Sequence, residues 1–307
     1  MRITGTFLDE ISHDIPHQNW GRAEWKRDFL AMKAIGIDTV ILIRCGHKRW
    51  MTYPSEFLIA RGGFRPPVDL VEMFLDLSDE LGMKFYFGTY DSGGYWREGE
   101  YGKEVELTLP VVEEAWARYG HHKSFAGWYL SLEISRRRAA AVDLYRRVSG
   151  TCKQLSGGLP VLISPFITGI KQGDSGTLED HEREWNDILA ALDGTIDIMA
   201  FQDGHCDFDE LAGYLEINSR LARKYGIHCW SNCESFDRDM PIRFLPIKYE
   251  KMLLKLEAAK QAGVEKVITF EFSHFMSPHS CYAAAGGLFD RYCEHFGLPV
   301  RAEALRR

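Results

Sequence analysis

The run FAGWYLSLEI, residues 125–134, is apolar and aromatic and carries Glu133 next to its end. A strand of this composition is buried on both faces, so an ionised carboxylate at its end needs a partner, a metal, water or a chemical role. A second carboxylate, Glu234, follows IHCWSNC (227–233), and a third, Glu271, lies inside KVITFEF (266–272). Cleaving a glycosidic bond takes two carboxyl groups on opposite sides of it, one to protonate the leaving oxygen and one to attack or to activate water. The expectation is Glu133 as acid/base and Glu234 as nucleophile or second carboxylate, with Glu271 as the alternative second group.

These residues need elements that bring them together. A unit of about 30 to 45 residues recurs along the chain, a β-rich run followed by turn residues and an amphipathic helix. The expected strands are 2–8, 38–44, 84–90, 125–133, 160–166, 196–202, 227–233 and 266–272. The expected helices are 22–36, 68–82, 109–122, 137–155, 177–192, 208–226, 247–263 and 283–297. AIGIDTV, ELGMKFY, KYGIHCW and QAGVEKV each place a glycine between helix and strand, where a left-handed cap ends the helix. Eight strands alternating with eight helices predict an α/β fold, a single-domain (β/α)8 TIM barrel over residues 1–307. The long βα loops 45–67, 91–108 and 234–246 belong to the face where such barrels keep their chemistry. A doubly wound sheet is the competitor, but no glycine-rich phosphate loop follows the first strand.

In a barrel, strands four and seven stand across the mouth from each other, so Glu133 and Glu234 are expected to face one another. Asp9, Glu10, Arg44, Tyr90, Asp91 and Gln202 end other strands and are read as substrate-binding. Trp50, Tyr53, Tyr95, Trp96, Trp128, Trp230 and Asn232 join them, the aromatic rings offering faces on which sugars stack. In YDSGGYWREGEYG (90–102), Gly93 and Gly94 allow close backbone approach beside Tyr95 and Trp96. Simpler readings stand beside these: Glu133 paired with Arg44 or with Arg136, Arg137 or Arg138, Asp9 and Glu10 as loop caps, Asp91 as a turn residue, and tryptophans as packing. HDIPH (13–17), GHHKS (120–124) and DGHCDFD (203–209) put histidines near acids without the spacing of a strong metal motif, so no metal and no cofactor is expected. His205 is the most interesting of them, because it follows strand six.

Composition narrows the partners. The chain has 307 residues, 45% hydrophobic and 26% charged, with a net charge of -7. One basic cluster, 136–147, interrupts scattered charges, which argues against nucleic acid as partner. No apolar run is long enough to span a membrane and MRITGTFLDE lacks the layout of a signal peptide, so a cytoplasmic protein with a carbohydrate substrate is expected. Seven cysteines without a C-x-x-C read as mostly buried free thiols.

GTFLDE at the first strand, the Ile-Arg ending of the second, TYPSEF, FGTYDSGGYW and GWYLSLEI together resemble the DUF4434 family of glycoside-hydrolase-like TIM barrels, over nearly the whole chain. The resemblance implies the barrel and a glycosidase-like activity. A more distant likeness is to the clan of retaining glycosidases that carry glutamates at the ends of strands four and seven, matching Glu133 and Glu234. That clan has Asn before the first glutamate where this chain has Leu132, so the substrate 2-hydroxyl contact would come from elsewhere, with Asn232 a candidate. The alternative is a metal-dependent sugar isomerase or epimerase, since barrels resembling the xylose isomerase group use glutamates on strands four and eight, matching Glu133 and Glu271. Their cage adds Asp and His from the strands between, and LISPF at strand five supplies neither. A carbohydrate-binding barrel without catalysis is the third reading.

Overall fold

The computed structural model describes residues 1–135, 141–173, 176–238 and 244–298. Its centre is a closed barrel of eight parallel strands: β1 (Ile3–Leu8), β2 (Thr39–Leu42), β3 (Lys84–Gly88), β4 (Phe125–Leu130), β5 (Val161–Ile163), β6 (Ile198–Gln202), β7 (His228–Asn232) and β8 (Lys266–Thr269). Each strand pairs with its neighbours in sequence, and β1 closes the ring against β8 with Thr6 beside Thr269. Between them run α1 (Arg22–Ala34), α2 (Leu70–Leu81), α3 (Tyr101–Tyr119), α4 (Val142–Ser156), α5 (Leu178–Ala191), α6 (Phe208–Tyr225) and α7 (Tyr249–Gln261), and α8 (Ala283–Phe296) follows β8. All eight expected strands and eight expected helices are present. Part of the 137–155 helix and part of the 234–246 loop lie outside the described residues.

The strands read as continuous apolar runs because both of their faces are buried. Phe7, Ile41, Tyr86, Tyr129, Leu162, Ile198 and Ile268 fill the barrel interior. The opposite faces pack under the helices, where Phe87, Phe125 and Trp128 form an aromatic layer with the Phe125 and Trp128 rings 4.9 Å apart. The helices are amphipathic to match. α2 buries Val71, Phe74, Leu75 and Ser78, starts where the Asp69 side chain accepts the Glu72 N–H, and stops at Gly82 in the left-handed conformation (φ 61°).

Several boundaries lie a few residues from their expected places, and two of the shifts have a clear local reason. α3 starts at Tyr101 rather than 109 and carries Pro110 inside it. Proline reads as a first-turn residue, yet here it costs the helix one hydrogen bond without ending it. Helix formation from 101 lets buried Glu104 reach back and bind the Ser92 N–H (2.9 Å) and hydroxyl, fixing the turn of the 92–96 loop. The expected last strand, 266–272, ends at Thr269, because the Glu271 side chain caps a short helix, Phe272–Phe275. The long βα loops fold into small elements of their own, with Gly46–His47 pairing both Trp50–Met51 and Tyr90–Asp91, and Phe236–Asp237 pairing Leu245–Pro246. Six of the seven cysteines are buried free thiols and Cys281 is exposed. No helix among the described residues is long and apolar enough to cross a membrane.

β2 and β3 come close at their upper ends. A Cβ on Gly88 would lie 2.0 Å from the Leu42 carbonyl oxygen and 2.9 Å from the Arg44 nitrogen. Both contacts are backbone, which no side-chain rotation relieves. Gly88→Ala is therefore expected to lower the unfolding free energy by about 1 to 3 kcal/mol, as measured by urea denaturation.

Candidate active site

The chain beyond β4 is held from three sides. The Ser131 N–H donates to the Thr89 hydroxyl (3.0 Å), the Tyr145 hydroxyl donates to the Leu132 carbonyl, and the Phe166 N–H donates to the Ile134 carbonyl (3.1 Å). Half-buried Glu133 is thereby presented to the mouth of the barrel, with the Tyr129 hydroxyl 3.4 Å from its Oε1 and the Gln202 side chain hydrogen-bonded to it. Burial pushes its carboxyl up to about 7. Arg44 opposes that rise and the negative charge of Glu234 adds to it.

Glu234 is fully buried and has the opposite electrostatics. Burial would raise its carboxyl, but Arg238 outweighs it, donating from Nε to Oε2 and from Nη2 to Oε1, both at 3.0 Å, and the group is held below its ordinary range. Its main chain is fixed as firmly. The Glu234 N–H donates to Asp203 Oδ1 (3.0 Å), and Lys255 Nζ on α7 reaches both that Asp203 oxygen (2.8 Å) and the Glu234 carbonyl (3.0 Å). Burial would lower the Lys255 ammonium, yet Asp203 carries it to about 12, so it stays charged. Gly204 makes room for the pair, since a Cβ there would fall 1.6 Å from Glu234 Oε2 and 2.4 Å from Arg238 Nε.

Both carboxyl groups line one cavity of about 260 Å³, walled by Phe166, Phe236, Phe244 and Phe270 and bordered by His13, Arg44, Arg97, Gln202, His205 and Arg238. A second depression of about 300 Å³ shares Arg44, Arg97, Glu133 and Phe166 with it and adds Asp91, Trp96 and Gln172. Asp91 organises that side. Its Oδ1 accepts from the Gly93 N–H (2.7 Å) and from Trp96 Nε1 (3.0 Å), and its Oδ2 accepts from Arg44 Nη1 (2.9 Å) with His47 Nδ1 3.3 Å away. Burial alone would raise this carboxyl, but His47, Arg44 and the Gly93 N–H bring it down to about 2. The His47 ring in turn stacks on His13, 5.5 Å between centroids. Burial, with Arg238 nearby, lowers the His205 imidazole below its ordinary value, so it is neutral at neutral pH.

Of the residues expected from sequence, Arg44, Asp91, Trp96, Gln202, Glu133 and Glu234 meet around this cleft. Glu271 does not line it. That carboxyl is buried, accepts the Ser273 (3.0 Å) and His274 (2.6 Å) N–H groups, and pairs with the His274 ring, whose Nε2 contacts the Pro16 carbonyl (2.6 Å). Asp9 is a loop cap, its Oδ1 accepting the Ile11 (3.0 Å) and Ser12 (2.9 Å) N–H groups. Asn232 is buried against the Ser164 hydroxyl (3.3 Å). Glu10, Trp20 and Trp50 line a neighbouring hollow of about 370 Å³, where burial pushes Glu10 up to about 7. Tyr90 and Tyr95 line a third of about 530 Å³. Tyr53 and Trp128 are fully buried packing residues, and Trp230 packs on Tyr86 inside the barrel with rings 6.1 Å apart. Arg136, Arg137 and Arg138 lie outside the described residues. Sequence reasoning missed Arg238, Arg97, Phe166, Phe236, Phe244 and Phe270; it named His13 only as part of a histidine-rich stretch and singled out His205 for its place after strand six without giving it a role. The available signal for Arg238 was a cation four residues after a rim glutamate.

A family model described as "Domain of unknown function (DUF4434)" matches residues 3–282. The chain belongs to the DUF4434 family. A crystal structure from Bacteroides thetaiotaomicron VPI-5482, described as a putative alpha-L-fucosidase, is 56% identical to this DUF4434 protein, covers 97% of this chain and 94% of that one, and superposes with a TM-score of 0.95. More distant structures share the barrel fold: an endo-1,4-beta-mannanase from Rhizomucor miehei (TM-score 0.61, 11% identity, 88% of this chain and 86% of that one) and a beta-D-glucuronidase from Dictyoglomus thermophilum (TM-score 0.54, 17% identity, 95% and 50%). No curated protein matches the chain.

Asp91 carries the sharpest stability consequence. Its folded value of about 2 lies below its ordinary 3.8, so its contribution is complete above about pH 4 and is lost as pH falls through about 2. Asp91→Asn is expected to lower the unfolding free energy by roughly 2 kcal/mol at pH 7. In urea melts at a series of pH values the deficit should narrow below about pH 4, and a deficit that stays constant down to about pH 2.5 would contradict this assignment.

Proposed function

We propose that this chain is a glycoside hydrolase in which Glu133 is the general acid/base and Glu234 the nucleophile. The observation that carries the reading is the opposed proton affinity of two carboxyl groups in one small cavity, Glu133 raised to about 7 and Glu234 lowered. Divergent environments of this kind are how one site holds an acid and an anion at the same pH. The glycosidase name of the 56% identical structure supports it.

In the first step protonated Glu133 gives its proton to the glycosidic oxygen as the bond to the anomeric carbon breaks. Ionised Glu234 forms the new bond to that carbon from the opposite side. In the second step Glu133, now ionised, takes a proton from water as the water's oxygen displaces Glu234 from the anomeric carbon. Arg238 keeps Glu234 unprotonated while it waits for substrate, and Gln202 and Tyr129 orient the Glu133 carboxyl. Gln202 also offers a carboxamide next to Glu133, which this reading assigns to a substrate hydroxyl in place of the Asn absent at Leu132. The name of the 56% identical structure makes an α-L-fucoside the first substrate to test. The isomerase reading has less support, because Glu271 is engaged by His274 and two N–H groups away from the cleft.

Glu133→Gln is expected to lower kcat/KM about 10²- to 10⁴-fold on a glycoside with an unactivated leaving group, and far less on a dinitrophenyl glycoside that leaves without a proton. Equal losses on both would remove Glu133 from the acid role. In the native chain kcat/KM should fall as pH rises through about 7, where Glu133 loses its proton.

A further inference from the structure

We propose that Glu72, His121 and His122 form a binding site for a zinc-class divalent metal ion on the outer helical layer, separate from the cleft. Glu72 stands in the first turn of α2, and the two histidines follow Gly120, the residue that caps α3, on the way into β4. One ligand atom from each of the three side chains lies within 4.8 Å of the other two.

The decisive residue is His122. Its ring is buried, and its Nδ1 lies 2.8 Å from Asp79 Oδ2. The other Asp79 oxygen accepts the Ser124 N–H at 2.7 Å, so this carboxylate is oriented by the backbone and acts as an acceptor. The Nδ1 hydrogen is therefore directed at Asp79, which leaves Nε2 as the ring atom able to offer a lone pair to a metal ion. That Nε2 atom is buried without a hydrogen-bond partner and faces Glu72 Oε1 at 3.5 Å. A nitrogen and a carboxylate oxygen turned toward each other at this spacing need a cation between them, a proton or a metal ion. A histidine whose far nitrogen is tied to a carboxylate is also the usual form of a metal-bound imidazole.

His121 completes the set, its ring 4.3 Å from that of His122. Two imidazoles and a carboxylate suit Zn²⁺ or Co²⁺, with water in the fourth position. Ligand bonds of about 2.0 to 2.1 Å place tetrahedral ligands roughly 3.3 Å apart, so the three groups must draw in from their present spacing. His121 is exposed and the Glu72 side chain is 44% exposed, which leaves both free to move, while His122 stays fixed by Asp79. A bound ion would tie the start of α2 to the loop that enters β4, and the chain leaving β4 carries Glu133.

The test is a titration of the metal-stripped full chain with ZnCl₂ and CoCl₂. One equivalent of zinc is expected to raise Tm, and cobalt is expected to give the visible absorption of a four-coordinate site. His121→Ala and Glu72→Gln should each abolish both responses while leaving the metal-free Tm unchanged, since both side chains are exposed or half-exposed. Asp79→Asn should weaken binding about 10- to 100-fold. Absence of a zinc-dependent shift, or a shift retained in both His121→Ala and Glu72→Gln, would overturn the proposal. Glycosidase activity is not a readout here, so the outcome is independent of the function proposed above.

Discussion

Two carboxyl groups that share a small cavity cannot both ionise cheaply, and the mouth of this barrel is built around that constraint. The chain answers it by unequal distribution of cations. Arg238 gives two of its nitrogens to Glu234, while Glu133 feels the charge of Arg44, which is already bonded to Asp91. One carboxyl is thereby held below its ordinary range and the other raised to about 7. The arrangement needs no unusual residue, only a difference in what each group touches.

The cations themselves must be held, and here the loops contribute as much as the strands. Asp91 binds Arg44 and Trp96 together, and Glu104 fixes the Ser92 turn that leads from Asp91 to Trp96. Gly88 and Gly204 remove the side chains that would block these approaches. The site is thus a set of short-range fits, each of which depends on a backbone position decided elsewhere in the fold.

The barrel was legible in the sequence because its strands are buried on both faces and its helices on one, which leaves a strong alternation of patterns. Glu133 and Glu234 stood out for the same reason, as charges at the ends of apolar runs. The aromatic residues were less legible. Trp128, Tyr53 and Trp230 have the composition of a sugar platform but sit in the packing layers, because residue type does not say which face of a strand or loop it occupies. Glu271 was indistinguishable from the other strand-end acids until the turn after β8 placed two N–H groups and His274 against it. Arg238 was missed because its bond to Glu234 is made by a loop, where spacing carries no fixed geometry.

Lys255 extends from the outer helix α7 to Asp203 and to the Glu234 carbonyl, just beyond the ends of β6 and β7. The position of Glu234 is therefore referenced to the outer shell as well as to the sheet. A helix in such a fold is commonly regarded as cladding, free to slide or roll as its surface sequence drifts. α7 is not free in that sense, because any roll of it would drag the ammonium and, with it, the backbone that aims the carboxylate.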